Sequence, residues 1–203
     1  MNIVKYAKDA IWVGRFQPPS IAHFYSLTAI LKQWPHVTIG VVSDEIDVVD
    51  RKGMLWGQYL AFMRQTSCNI GKSLFSSSEI VALWEEVITK NDLCDRVNAR
   101  PIMRPECSVA FDADFHFSQY DYVEIEGGAG NIDVENFRKQ YASEMYRRAI
   151  HWVYPSLVLH NSQIKKLIAR QCGSWPDYLA PGATKLFSQF NGPSRIAEAT
   201  QKH

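Results

Sequence analysis

Residues 11–24, Ile-Trp-Val-Gly-Arg-Phe-Gln-Pro-Pro-Ser-Ile-Ala-His-Phe, constrain the fold more than any other stretch. An apolar run from Ile11 to Val13 breaks at Gly14 and stiffens at Pro18 and Pro19. It then enters a helical pattern from Ser20 through Leu31. This order predicts a strand, a short rigid loop and a helix N-terminus. In open α/β sheets, ligands bind outside the carboxyl ends of strands, where the chain turns into a helix. Free backbone N–H groups and the helix dipole make such a turn favourable for phosphate. Arg15 and His23 add side-chain donors there. Ser20 is a natural N-cap, whose hydroxyl can face either the helix or a ligand.

The pattern continues as alternating helices and strands. Leu27, Ile30, Leu31 and Trp34 fall at helical spacing up to Pro35, which ends the helix. Val37 to Val42 is a β-branched run broken only by Gly40, the signature of a strand buried on both faces of a parallel sheet. Together these make one right-handed βαβ unit. Asp44, just past that strand, is either a ligand for a substrate group or a solvated strand end. Leu55 to Met63, with Trp56, Tyr59 and Phe62 at spacing 3, reads as an amphipathic helix, in the core or lining a site. Ser76 to Glu79 fits a capping box opening a helix over 78–89, with Ile80, Leu83, Trp84, Val87 and Ile88 inward.

Val97 to Ile102 is the third strand, and Pro101 makes it irregular or an edge segment. Arg100 and Arg104 bracket its end, as phosphate binders or as solvated charges. Asp112, Asp114 and His116 alternate, but hard and soft ligands are mixed and a fourth is lacking, so no metal site is expected. Tyr120 to Glu126 is the fourth strand. It runs into Gly127-Gly128-Ala129-Gly130, which is either a ligand loop or a surface turn. An amphipathic helix over 133–149 follows, with Phe137, Tyr141, Met145 and Ala149 inward and Arg138 and Lys139 outward. His151 to Leu159, interrupted by Pro155, reads as the fifth strand. His160-Asn161-Ser162-Gln163-Ile164-Lys165 then repeats the strand-to-helix junction with polar groups at its start.

The fold class is therefore α/β, a Rossmann-like doubly wound parallel sheet of about five strands with flanking helices. A length of 203 residues suits one domain, with a core over 10–170 and a helical segment over 171–203. The balance of 22 basic against 21 acidic residues gives no field for nucleic acid, so an anionic ligand must be held by local groups. Cys68, Cys94, Cys107 and Cys172 form no C-x-x-C pair, which argues against zinc and for reduced thiols. The polar N-terminus reads as no signal peptide, and no stretch is long enough to span a bilayer; a cytoplasmic protein without membrane contact is expected.

Gly14 to His23 resembles the GRFQPxHxGH signature of the nucleotidylyltransferase superfamily, and most of all its small nicotinamide-nucleotide adenylyltransferase-like and cytidylyltransferase-like members. Ser20 stands at the first signature histidine and Ala22 at the glycine. Residues 159–168 resemble the ISxTxxR segment, with Ser162 on the Thr and Lys165 on the Arg. Ser174 to Pro181 resembles the W-x-x-L-V-P turn before the last helix. Helix 78–89 resembles the NPFTxxER segment, with Ile80 at its substrate-binding Arg.

The resemblance implies transfer of an NMP group from ATP or CTP to a small phosphorylated acceptor, with Mg2+ arriving on the triphosphate. It implies catalytic roles for His23, Arg15, Ser20 and Lys165. Gly14, Phe16, Gln17, Asn161 and Ser162 would join Arg15, His23 and Lys165 in cradling the nucleotide, with His23 as an imidazolium at the α-phosphate. Asp44, Glu126, Gly127 and Gly128 would face the acceptor. A non-catalytic nucleotide binder is the alternative of another class, because Ser20 carries no charge. The oligomeric state is left open.

Overall fold

The computed structural model describes residues 8–42, 58, 74–102, 115–116, 118–127, 132–146, 148–157, 159, 161–170 and 173–201. Five parallel strands form one sheet: β1 (Asp9–Gly14), β2 (Val37–Val42), β3 (Val97–Ile102), β4 (Tyr120–Ile125) and β5 (Ile150–Val153). Their order is β3-β2-β1-β4-β5, with β1 at the centre. The direction of winding reverses beside β1, so the crevice of the sheet opens at its carboxyl end. Trp12 lies opposite Ile39 on one side and Val123 on the other.

Alternation along the strands builds two cores. Ala10 and Trp12 face one layer, with Leu27 and Ile30 of α1 (Ile21–Leu31) and Leu83 and Val87 of α2 (Ser77–Lys90). Ile11 and Tyr122 face the other, with Val134, Ala142 and Tyr146 of α3 (Ile132–Tyr146). The chain ends with α4 (Asn161–Ala169), a 3-10 turn (Trp175–Tyr178), α5 (Ala183–Gln189) and α6 (Gly192–Gln201), all added to the first layer through Ile164, Ile168, Phe187 and Ile196. None of the described helices is long and apolar enough to cross a membrane.

The expected elements recur with three differences. The fifth strand stops at Val153 instead of reaching residue 159. Its partner β4 ends at the facing Ile125, and Pro155 follows without an N–H to give. The inward stripe of α3 is Val134, Ala142 and Tyr146, with Phe137 and Tyr141 at its flank. Arg138 points inward with that stripe, because the buried Glu124 of β4 takes its charge. Helix α1 ends at Leu31, and Arg96 spans its last turn by donating to the carbonyls of Leu31, Trp34 and Pro35 at 2.7, 3.1 and 2.9 Å. Of the predicted helix over Leu55 to Met63 only Gln58 is among the described residues, helical and exposed; Arg104, Asp112 and Asp114 lie outside them.

Candidate functional site

The loop after β1 is shaped by one aromatic ring. Phe16 takes a left-handed backbone, φ 48°, and folds its ring back over Gly14. A Cβ on Gly14 would lie 2.8 Å from Phe16 Cζ, so this turn needs glycine there. The Phe16 ring packs edge-on against Trp12, His23 and Trp84, with centroids 4.8, 5.1 and 5.4 Å away. It is 4% exposed, so the part of Phe16 that faces the crevice is its backbone.

Gln17 is held just as firmly. Its Nε2 donates to the Phe75 carbonyl at 2.8 Å, and its Oε1 accepts from the Phe75 N–H at 3.0 Å. Both ends of the amide are thus spent on the segment leading into α2. The Gln17–Pro18 peptide is cis. Beyond it, Ala180 N–H donates to the Pro19 carbonyl at 3.1 Å, and Ser20 pairs antiparallel with Leu179. The Trp175–Pro181 turn therefore braces the loop from outside.

Ser20 caps α1. Its Oγ accepts from His23 N–H at 3.3 Å, and its own N–H donates to His23 Nδ1 at 3.1 Å, a reciprocal capping box. Ser20 is fully buried, so its hydroxyl faces the helix rather than the crevice. Ala22 is also buried, its methyl inside the layer beneath.

His23 owes its state to these neighbours. Its Nδ1 accepts from Ser20 N–H and lies 3.1 Å from Ser20 Oγ, which leaves the proton on Nε2. Trp12 and Phe16 wall the ring, and burial pushes its pKa down to about 4. In the free protein the imidazole is therefore held neutral, since a proton on Nδ1 would face the Ser20 N–H.

The second junction brings a cation to the first. Lys165, in the first turn and a half of α4, has its pKa lowered by burial and then by the nearby Arg15 guanidinium. The β1–α1 and β5–α4 junctions thus bring two like charges within electrostatic reach of each other at the carboxyl edge of the sheet. Ile164 and Ile168 fix the helix in the core, while Ser162 is exposed. Asn161 is the first helical residue of α4.

On the other side of β4, Glu126 pairs with Lys139 of α3. Gly127 takes φ 77° and donates its N–H to Glu135 at 2.6 Å, which anchors the turn to α3. Asp44 and Gly128 lie outside the described residues. Arg100, expected as a phosphate binder or a solvated charge, stacks over the Phe115 ring at 4.3 Å.

Among the residues expected at the site, Gly14, Arg15, Phe16, Gln17, Ser20 and His23 share one loop, and Lys165 joins them. Glu126 and Gly127 belong to the neighbouring turn. Sequence reasoning missed Trp12, Phe75 and Trp84 as the walls of this loop. The only signal for them was aromatic residues on the strand and helix that flank it, which reads equally as ordinary core.

No family model matches the chain, and no curated protein matches it significantly. Among solved structures, the chain is similar to the nicotinic acid mononucleotide adenylyltransferase of Plasmodium falciparum, solved in complex with NaAD. Identity is 15%, covering 93% of this chain and 98% of that one, with a TM-score of 0.39. At those values the likeness adds nothing to the strand order already described.

Proposed function

We propose that the chain is a nucleotidyltransferase that moves an NMP group from a nucleoside triphosphate to a small phosphorylated acceptor, releasing pyrophosphate. The observation that carries this reading is the placement of Arg15 and Lys165 at two strand-to-helix junctions on the carboxyl edge of one parallel sheet. Burial and the Arg15 charge both disfavour the charged form of Lys165 in the empty site. A bound polyphosphate reverses that sign, because both charges then face an anion.

In this reading an acceptor phosphate oxygen attacks the α-phosphorus. The bond from the α-phosphorus to the α,β-bridging oxygen breaks, and its electron pair leaves with pyrophosphate. The protein supplies position and charge neutralisation. Arg15 and Lys165 hold the β and γ phosphates. His23 donates its Nε2 hydrogen to an α-phosphate oxygen as a neutral imidazole, oriented by the Ser20 N–H. Backbone N–H groups of residues 14–16 and the start of α4 complete the cradle. The donor set of Arg15, His23 and Lys165 suits an anion, so Mg2+ is held by phosphate oxygens and water on the triphosphate. The sequence signature favours ATP and a nicotinamide mononucleotide, with CTP and a phosphorylated or phosphonate metabolite as the rival pair.

One observation favours a second reading, a nucleotide binder without turnover. Ser20 is fully buried and committed to its cap, so the donor at the first signature histidine is lost to the ligand. A thermal-shift screen of ATP, CTP, GTP and UTP with Mg2+ identifies the donor nucleotide. Pyrophosphatase-coupled phosphate release with each acceptor then separates the two readings. Release above background supports the enzyme. Binding without release supports the second reading, and neither binding nor release rejects both.

A further inference from the structure

Arg195, near the far end of the chain, reaches back to the segment that clamps Gln17. Its Nη1 donates to Glu79 Oε1 at 2.6 Å, and its Nη2 to Glu79 Oε2 at 3.2 Å. The same Nη2 donates to the Leu74 carbonyl. Its guanidinium lies 4.3 Å from the centroid of the Phe75 ring. Glu79 in turn accepts from Ser76 N–H at 2.8 Å, closing the capping box of α2. One planar group therefore holds the residue before Phe75, the ring of Phe75 and the cap just after it. The two backbone groups of Phe75 are those that Gln17 uses, and Gln17 stands two residues from Arg15.

We propose that Arg195 is a positioning residue for the phosphate-binding loop, acting through Phe75 and Gln17 and touching no ligand itself. The chemistry requires arginine. A guanidinium chelates a carboxylate with two parallel bonds while its face lies on an aromatic ring, whereas a lysine ammonium supplies only a point charge. A simple brace for α6 would have no need to reach Leu74 and Phe75. The site it positions is the one assigned under the nucleotidyltransferase reading, and the proposal rests on that reading for its kinetic consequence only.

The test uses the full chain with Arg195→Ala, Arg195→Lys and Gln17→Ala, and Glu79→Gln as the milder variant if Arg195→Ala does not fold. Native-state hydrogen exchange at the Phe75 amide is compared with that at Ile39, at the centre of the sheet. Loss of Arg195 should speed exchange at Phe75 on the order of tenfold relative to Ile39, with Arg195→Lys and Glu79→Gln intermediate.

Where the protein turns over a triphosphate, Arg195→Ala should raise KM for it about tenfold with kcat nearly unchanged, the mark of lost uniform binding. The KM effect should shrink below about twofold in the Gln17→Ala background, because the path is already cut. Unchanged relative exchange at Phe75, with only a lower unfolding midpoint, overturns the proposal and makes Arg195 a brace for α6. If the wild-type protein neither binds nor uses a triphosphate, the nucleotidyltransferase reading falls, and the exchange measurement still decides the role of Arg195.

Discussion

The two junctions that frame the crevice are built on opposite plans. The β1–α1 loop is tied down on every side. Gln17 is clamped to Phe75, Pro19 and Ser20 to the Leu179–Ala180 turn, and Phe16 is sunk among Trp12, Trp84 and His23. The β5–α4 junction is anchored from below by Ile164 and Ile168, and presents an exposed Ser162 and a half-buried Lys165. One junction spends its polar groups on geometry and the other leaves them to the crevice. Substitutions in the first should therefore damage folding as well as function, and those in the second should damage function alone.

The sharpest way to break this contrast is Gln17→Ala. It leaves both backbone groups of Phe75 without their buried partners, so a loss of about 2–4 kcal/mol is expected in urea unfolding. An unchanged midpoint would show that the first junction is not held by its tertiary bonds.

His23→Ala separates chemistry from scaffold. Removing a preorganised donor at the α-phosphate should slow turnover on the order of 10²–10³, as measured by pyrophosphate release. The same variant tests the pH behaviour. A histidine whose folded pKa lies near 4, below its unfolded value of 6.5, favours the unfolded chain as it takes up a proton. The wild-type protein should lose roughly 2–3 kcal/mol from this group as pH falls from about 6.5 to 4, and none above that window. His23→Ala should flatten that part of the stability curve.

At the second junction, Lys165→Met removes one of two close cations. Triphosphate affinity should fall about tenfold by isothermal titration, in keeping with the loss of one charge-assisted bond. The melting temperature of the free protein should rise or hold, because the charge is partly desolvated and faces Arg15. A lower melting temperature would mean that Lys165 supports the fold. The smallest effect is expected for Ser162→Ala, within about 0.5 kcal/mol in stability because its side chain is exposed.

The frame of the molecule was legible where periodicity is strong. The β-branched run at 37–42, the capping box at Ser76 and Glu79, and the strand at 97–102 all stand where the pattern put them, and of the two readings of Pro101 the edge strand is the one found. The fifth strand was overdrawn, because hydropathy alone does not tell where a partner strand ends. Arg138 was misread as a surface charge, since a helix wheel carries no record of Glu124 on a neighbouring strand.

The candidate site was legible as a strand-to-helix loop but not in how its side chains are held. Nothing in the local sequence tells that Ser20 turns its hydroxyl inward, or that His23 is neutral. The first is set by the reciprocal cap with His23, and the second by aromatic walls drawn from β1 and the loop. The Arg15–Lys165 pair lies 150 positions apart in the chain and needs the sheet order to bring it together.

The bracing of the loop by Leu179, Ala180 and Arg195 bears on how the protein is made. Synthesis delivers residues 14–23 well before Leu179, Ala180 and Arg195. A nascent chain that has already emerged as far as β5 carries the β1–α1 loop without the contacts that shape it. The loop is therefore complete only once residue 195 has emerged, and a chain interrupted between β5 and the Leu179–Ala180 turn keeps the sheet without the loop's outer supports.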